Sequence, residues 1–140
     1  MVQLIIGTRG AGKTKKLISA VHEAYESSTG NVVCVEKGKT LTRQIKPQVR
    51  LISADEFGVT GYDAFYGFLS GICASDYDVT HIFVDATLRI GSRDYNELAA
   101  FLKKVKTTLC EAEGKRFTFT VSADKGDLPA EVFDFCSEAA

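Results

Sequence analysis

Between residues 7 and 14 the chain reads Gly7-Thr8-Arg9-Gly10-Ala11-Gly12-Lys13-Thr14. Glycines at these positions let the backbone curl so that successive N–H groups turn inward and form a concave anion site. A helix starting at the end of such a turn adds the positive end of its dipole and its unpaired first N–H groups. Lys13 supplies a point charge for outer phosphate oxygens, and the Thr14 hydroxyl is a hard oxygen ligand suited to magnesium. Arg9 has two open roles, a phosphate contact or a solvated side chain. The pattern G-x-x-x-x-G-K-[ST] is filled at every fixed position, against roughly 0.01 accidental matches for a chain of this composition. A divalent cation held this way needs a second oxygen anchor. Asp85, directly after the apolar run His81-Ile82-Phe83-Val84, has the right form for it: a carboxylate at the carboxyl end of a buried strand.

The elements that must position these groups are legible from periodicity. Residues 3–6 form a short apolar run ending at Gly7, which predicts a buried strand. From Thr14 onward Leu17, Ala20, Val21, Ala24 and Tyr25 recur at helical spacing, and Ser27 to Gly30 ends that helix. Further strands are expected at 32–35, 49–52, 81–84 and 117–121, the last alternating Phe117, Phe119 and Val121 with Thr118, Thr120 and Ser122. A helical stripe runs through Phe65, Phe68, Leu69, Ile72 and Cys73, with Gly67 and Gly71 leaving one side bare for close packing on the sheet. A longer helix spans Tyr95 to Leu109, with Asp94 and Glu97 as a capping box, and a last short one starts near Pro129. Residues 37–48 read as a polar loop. Alternation of strands and helices throughout implies an α/β fold: one domain over residues 1–140, three layers, a mostly parallel central sheet of about five strands and helices on both faces. Ligands bind such sheets beyond the carboxyl ends of the strands, which singles out the loops after residues 6, 85 and 122.

Composition narrows the function classes. The 140 residues are 45% hydrophobic and 25% charged, the profile of an ordinary globular domain rather than a disordered chain. Seventeen basic residues face 18 acidic ones, so bulk charge gives no reason to expect nucleic acid as a partner. No apolar run approaches a membrane span, and Met1 to Ile6 has no basic segment ahead of it, so a cytoplasmic protein without a membrane partner is expected. Cys34, Cys73, Cys110 and Cys136 form no C-x-x-C pair and sit among apolar residues, which predicts four reduced structural thiols.

Through Gly7–Thr14 and the His81–Asp85 strand, the chain resembles P-loop NTPases over nearly its whole length, with Walker A and Walker B elements at those two places. The resemblance implies a nucleoside triphosphate with Mg2+ as ligand, residues 7–14 as the nucleotide-binding loop, Thr14 and Asp85 on the metal, and phosphoryl transfer as the chemistry. Asp55-Glu56-Phe57-Gly58 matches the D-x-x-G of GTPases, but no N-K-x-D follows, so no residue reads guanine and ATP is favoured over GTP. The strand Thr118 to Ser122 is similar to the sensor strand of ASCE-type ATPases, which lies between the Walker A and Walker B strands; that likeness places Ser122 near the γ-phosphate. Such ATPases carry a glutamate after the Walker B aspartate, whereas Ala86 stands here. The departure implies slow or partner-dependent hydrolysis, the partner being an unidentified protein, with Glu56, Asp55 or Asp124 as substitute bases. The layout is also similar to type II thymidine kinases, minus their zinc ribbon and acidic pair, and to small stand-alone P-loop proteins. Two other activities therefore stay open: a small-molecule kinase acting on a nucleoside-type acceptor, and a non-enzymatic nucleotide-binding module.

Two features stand outside this scheme. Residues 37–50 hold Lys37, Lys39, Arg43, Lys46 and Arg50 and no acid, either as a solvated loop or as a clamp on a polyanion. His22 and His81 lack ligand-like spacing and are expected on a helix surface and in strand packing.

Overall fold

A computed structural model describes residues 1–139. Its centre is one sheet of parallel strands: β1 (Val2–Gly7), β2 (Asn31–Glu36), β3 (Arg50–Ser53), β4 (Val79–Val84), β5 (Arg116–Ser122) and β6 (Ser137–Glu138), ordered β3-β2-β4-β5-β1-β6. Five of the six coincide with the apolar runs in the sequence. The sixth is two residues long, pairing Gln3 with Ser137 and Leu4 with Glu138, too short to leave a period. The helices are α1 (Lys13–Ser27), α2 (Tyr62–Ser75), α3 (Thr87–Ile90), α4 (Tyr95–Val105) and α5 (Val132–Phe135). β5 lies between β1 and β4, the position that its likeness to a sensor strand implies.

The continuous apolar runs are explained by burial on both faces. Leu4, Val33, Val35, Ile82, Val84, Phe117 and Phe119 turn toward α2 and α4. Ile5, Val32, Cys34 and Phe83 turn the other way, onto Leu17 and Val21 of α1. Phe65 of α2, fully buried, stacks on Phe101 of α4 at 4.8 Å and meets Phe119 edge-on at 6.4 Å, which ties both helices to the sheet. No helix among the described residues is long and apolar enough to cross a membrane.

Several local expectations are corrected. The segment 37–48 is not simply a polar loop. The buried Glu36 carboxylate accepts from the N–H and hydroxyl of Thr40 and the N–H of Leu41, and Leu41, Ile45 and Val49 pack beneath α1. Spaced four apart among charges, these three anchors do not stand out as a helix or a strand. Gly67 and Gly71 face open space rather than the sheet, because Phe65, Leu69 and Cys73 take the buried side of α2. The capping box is half formed. Asp94 accepts from the N–H groups of Asn96 and Glu97 at 2.9 and 3.1 Å, but the Glu97 carboxylate accepts from the Ser92 hydroxyl at 2.7 Å instead of reaching back. The helix expected to reach Leu109 widens into a π-helical turn at Lys106–Glu111, where the Thr107 and Thr108 hydroxyls donate to the carbonyls of Lys103 and Lys104. Side-chain donors of this kind compete with the helical ladder.

All four cysteines are free and buried, and burial pushes the thiols of Cys34 and Cys136 up to about 12, which suits inert structural residues. His22 is more than helix surface, since its Nε2 accepts from the Lys46 N–H at 3.2 Å. His81 serves strand packing. It stacks on Phe83 at 3.9 Å, its Nε2 lies 2.9 Å from the Thr118 hydroxyl, and burial pulls its pKa down to about 3. Above pH 6.5 the ring is neutral in folded and unfolded chains alike. As pH falls from 6.5 toward 3 only the unfolded chain takes up the proton, so stability is lost at about 1.4 kcal/mol per pH unit. Urea denaturation at pH 7 and pH 5 should therefore show a fall of about 2 kcal/mol that His81→Phe lacks; equal falls in both proteins would refute this role for His81.

Candidate functional site

The loop from Gly7 to Gly12 leaves the end of β1 and enters α1. Gly7 is the last residue of β1, so the curl rests on Gly10 and Gly12, whose φ angles are +87° and +84°. A side chain at either would be strained in this left-handed region. The Ala11 N–H closes the turn on the Thr8 carbonyl at 3.1 Å, and the Lys13 ammonium donates to the same carbonyl at 2.9 Å. α1 starts with no side-chain cap, so the positive end of its dipole opens on the loop.

Thr14, in the first turn of α1, and Asp85, one residue past β4, are 71 positions apart in sequence. The structure brings them together: the Thr14 hydroxyl donates to the Asp85 carboxylate at 3.2 Å. The sequence reading names the same two residues as candidate metal ligands. The carboxylate is oriented by a third group. The Thr120 hydroxyl donates to Asp85 Oδ1 at 2.7 Å and accepts from the Ala86 N–H at 2.9 Å. Parallel register explains the meeting. Val84 pairs with Phe119, so the next residues along each strand, Asp85 and Thr120, stand level and on the same face. Ala86 itself is left-handed at φ 61°, the one described residue other than glycine with positive φ.

A cavity of about 1010 Å³ opens over the loop. Thr8, Arg9, Gly10, Gly12, Lys13 and Thr14 form its floor with Asp85 and Ala86, and Thr120, Ser122 and Asp124 come from the end of β5. Ser122 is level with Gly7 in the β1–β5 register, so it belongs to this wall, although the hydroxyl that touches Asp85 is that of Thr120. Glu56 is not brought to this wall; its carboxylate pairs with Lys39 at 3.3 Å. Asp55 pairs with Lys37 at 2.8 Å and lines a smaller cleft of about 120 Å³ that meets the large cavity at Asp85, Ala86 and Arg89. In the D-x-x-G segment, Asp55–Phe57 forms a single 3-10 turn ended by Gly58. The basic run is largely neutralised. Lys37, Lys39 and Lys46 each meet a carboxylate, and of the five basic residues only Lys37 lines either cavity.

Sequence reasoning missed Thr120 and two arginines on the cavity wall, Arg89 and Arg93. The period of two in β5 does put Thr120 on a polar face, but only the strand order and register reveal that this face meets Asp85.

No protein-family model matches the chain, and a comparison with curated proteins finds no match.

The Thr120 hydroxyl is buried and bonded on both sides, so Thr120→Val strands the Ala86 N–H and deprives Asp85 of a donor. We expect a loss of about 1–3 kcal/mol in urea denaturation, with Thr120→Ser within about 1 kcal/mol of the parent. A Val variant as stable as the parent would remove Thr120 from this role.

Proposed function

We propose that the chain binds Mg-ATP in this cavity and hydrolyses it slowly, or at a useful rate only with a protein partner. The observation that carries the reading is the approach of the Thr14 hydroxyl to the Asp85 carboxylate at 3.2 Å, beside a loop curled by two left-handed glycines. Loop amides and the start of α1 would hold the phosphate tail. Lys13 would exchange its bond to the Thr8 carbonyl for the outer phosphate oxygens, a charge-assisted contact.

The donor set fits magnesium. Thr14 and Asp85 offer hard oxygens, and among the described residues no cluster of three or more His, Cys, Asp or Glu could cage a metal. Magnesium suits such a sparse site, because it keeps several waters and shares phosphate oxygens. Bound there, the ion would neutralise charge on the phosphates. Thr120 would keep Asp85 aimed at it.

Slow turnover follows from the position after Asp85. Ala86 carries no carboxylate, and its N–H is already used by Thr120. Asp124 is on the cavity wall, while Asp55 and Glu56 are engaged by lysines. The preference for ATP rests on the absence of an N-K-x-D guanine reader from the sequence.

Calorimetry with ATP, GTP and ADP, each with and without magnesium, tests the reading. Lys13→Ala should weaken ATP binding about 100-fold, near 3 kcal/mol. Asp85→Asn should remove most of the gain that magnesium gives while sparing metal-free binding. ATP binding that is unchanged in Lys13→Ala would dismiss the assignment.

A further inference from the structure

Arg89 and Arg93 lie on the wall of the same cavity as Lys13 and Thr14, on the segment that leaves Asp85. That segment is held firmly. The Asp85 N–H donates to the Val35 carbonyl at 2.9 Å, and the N–H groups of Arg89 and Ile90 donate to Ala86 at 3.0 and 3.1 Å. Leu88 and Ile90 are buried on either side of Arg89. Gly91 leaves room for the Tyr62 ring, with which a Cβ there would clash, and the Tyr62 hydroxyl donates to the Ser92 carbonyl at 2.7 Å. Asp94 then caps α4. The backbone around both arginines is thus pinned while their side chains stay exposed. Among the described residues no carboxylate lies within 4.0 Å of either guanidinium, whereas Lys37, Lys39, Lys46 and Lys125 are each paired.

The cavity has three chemical regions. Arg9, Lys13 and Lys15 belong to the loop and α1, Arg89 and Arg93 to the α3 side, and Asp124 and Asp127 to the end of β5. The acidic region and the Asp85 carboxylate are unfavourable for an anion, so the two basic regions are where an anion fits. The cavity of about 1010 Å³ spans all three regions, so the arginine side is open to a ligand that does not occupy the loop. We infer that Arg89 and Arg93 form a second anion subsite, one that takes the phosphate of a small phosphate monoester bound beside the nucleotide. Phosphate fits better than carboxylate, because a phosphate monoester presents three oxygens and up to two negative charges to two guanidinium forks, where a carboxylate presents two oxygens and one charge. The inference rests on the nucleotide reading for the identity of the neighbouring ligand, and its own residues are separate from the loop.

Calorimetric titration of the full chain, saturated with Mg2+ and a non-hydrolysable ATP analogue, with phenyl phosphate tests it. We expect one binding event that weakens at least about 10-fold in Arg89→Gln/Arg93→Gln, while the affinity for the analogue changes less than about 3-fold. Benzoate should bind far more weakly than phenyl phosphate. If the double variant unfolds by circular dichroism, Arg89→Lys and Arg93→Lys singly keep the charge, remove the fork and should each weaken phenyl phosphate. The proposal is overturned by any of three results: no phenyl phosphate binding to the parent, binding undiminished in the arginine variants, or loss of analogue affinity in their place. The last would mean that the arginines serve the nucleotide's own phosphates. Lys13→Ala separates the two readings, since phenyl phosphate binding that persists there and still depends on the arginines supports the subsite even if the nucleotide assignment fails.

Discussion

The Asp85 carboxylate is the junction on which the site depends. It accepts from Thr14 on α1 and from Thr120 on β5, and the Thr120 hydroxyl in turn accepts from the Ala86 N–H. Three elements far apart in sequence thereby converge on one side chain. The arrangement needs β5 between β1 and β4, because only then does a β5 hydroxyl stand beside the end of β4 while the loop after β1 reaches the same point. A carboxylate with two hydroxyl donors is held in a defined orientation yet keeps acceptor capacity for a further ligand.

The sheet can present such polar groups at one end because its body is sealed on both faces. Phe83 and Ile5 face α1, and Phe119 and Leu4 face α2 and α4. The polar exceptions inside it have partners, as His81 has Thr118 and Glu36 has Thr40 and Leu41. An unpaired hydroxyl or imidazole there would carry its full desolvation penalty; Thr118, level with Phe83, reaches diagonally to His81, and Thr120 meets Asp85, level with it just past the end of β4. The strand thus has two roles along one face, a closed pair within the sheet and an open one at its carboxyl end.

How much of this could be read from the chain follows from the range of the interactions. The Gly7–Thr14 pattern, the strand ending in Asp85 and the period of two in β5 are local, and the structure has each of them in place. The sequence also yields the α/β class and five of the six strands. What it leaves hidden depends on distant pairing. Thr120 becomes a partner of Asp85 through strand register, and the 37–48 segment is anchored by Glu36 and by three apolar residues that meet α1 only in the folded chain. The outward turn of Gly67 and Gly71 is not legible locally, because a bare helix face can lie against a sheet or against solvent, and the stripe of Phe65, Leu69 and Cys73 decides which.

The bend at Ala86 links the two halves of the site. A left-handed alanine costs about 1–2 kcal/mol, and the Thr120 hydroxyl that receives its N–H helps to hold it. The bend turns the chain out of the sheet directly into α3, whose first turn closes on the Ala86 carbonyl. The same residue that withholds a carboxylate from the position after Asp85 therefore sets the path that carries Arg89 and Arg93 onto the cavity wall. Charge reaches this side of the cavity as guanidinium rather than as a base beside Asp85. The conformation of one small residue thereby sets which charged groups line this side of the cavity.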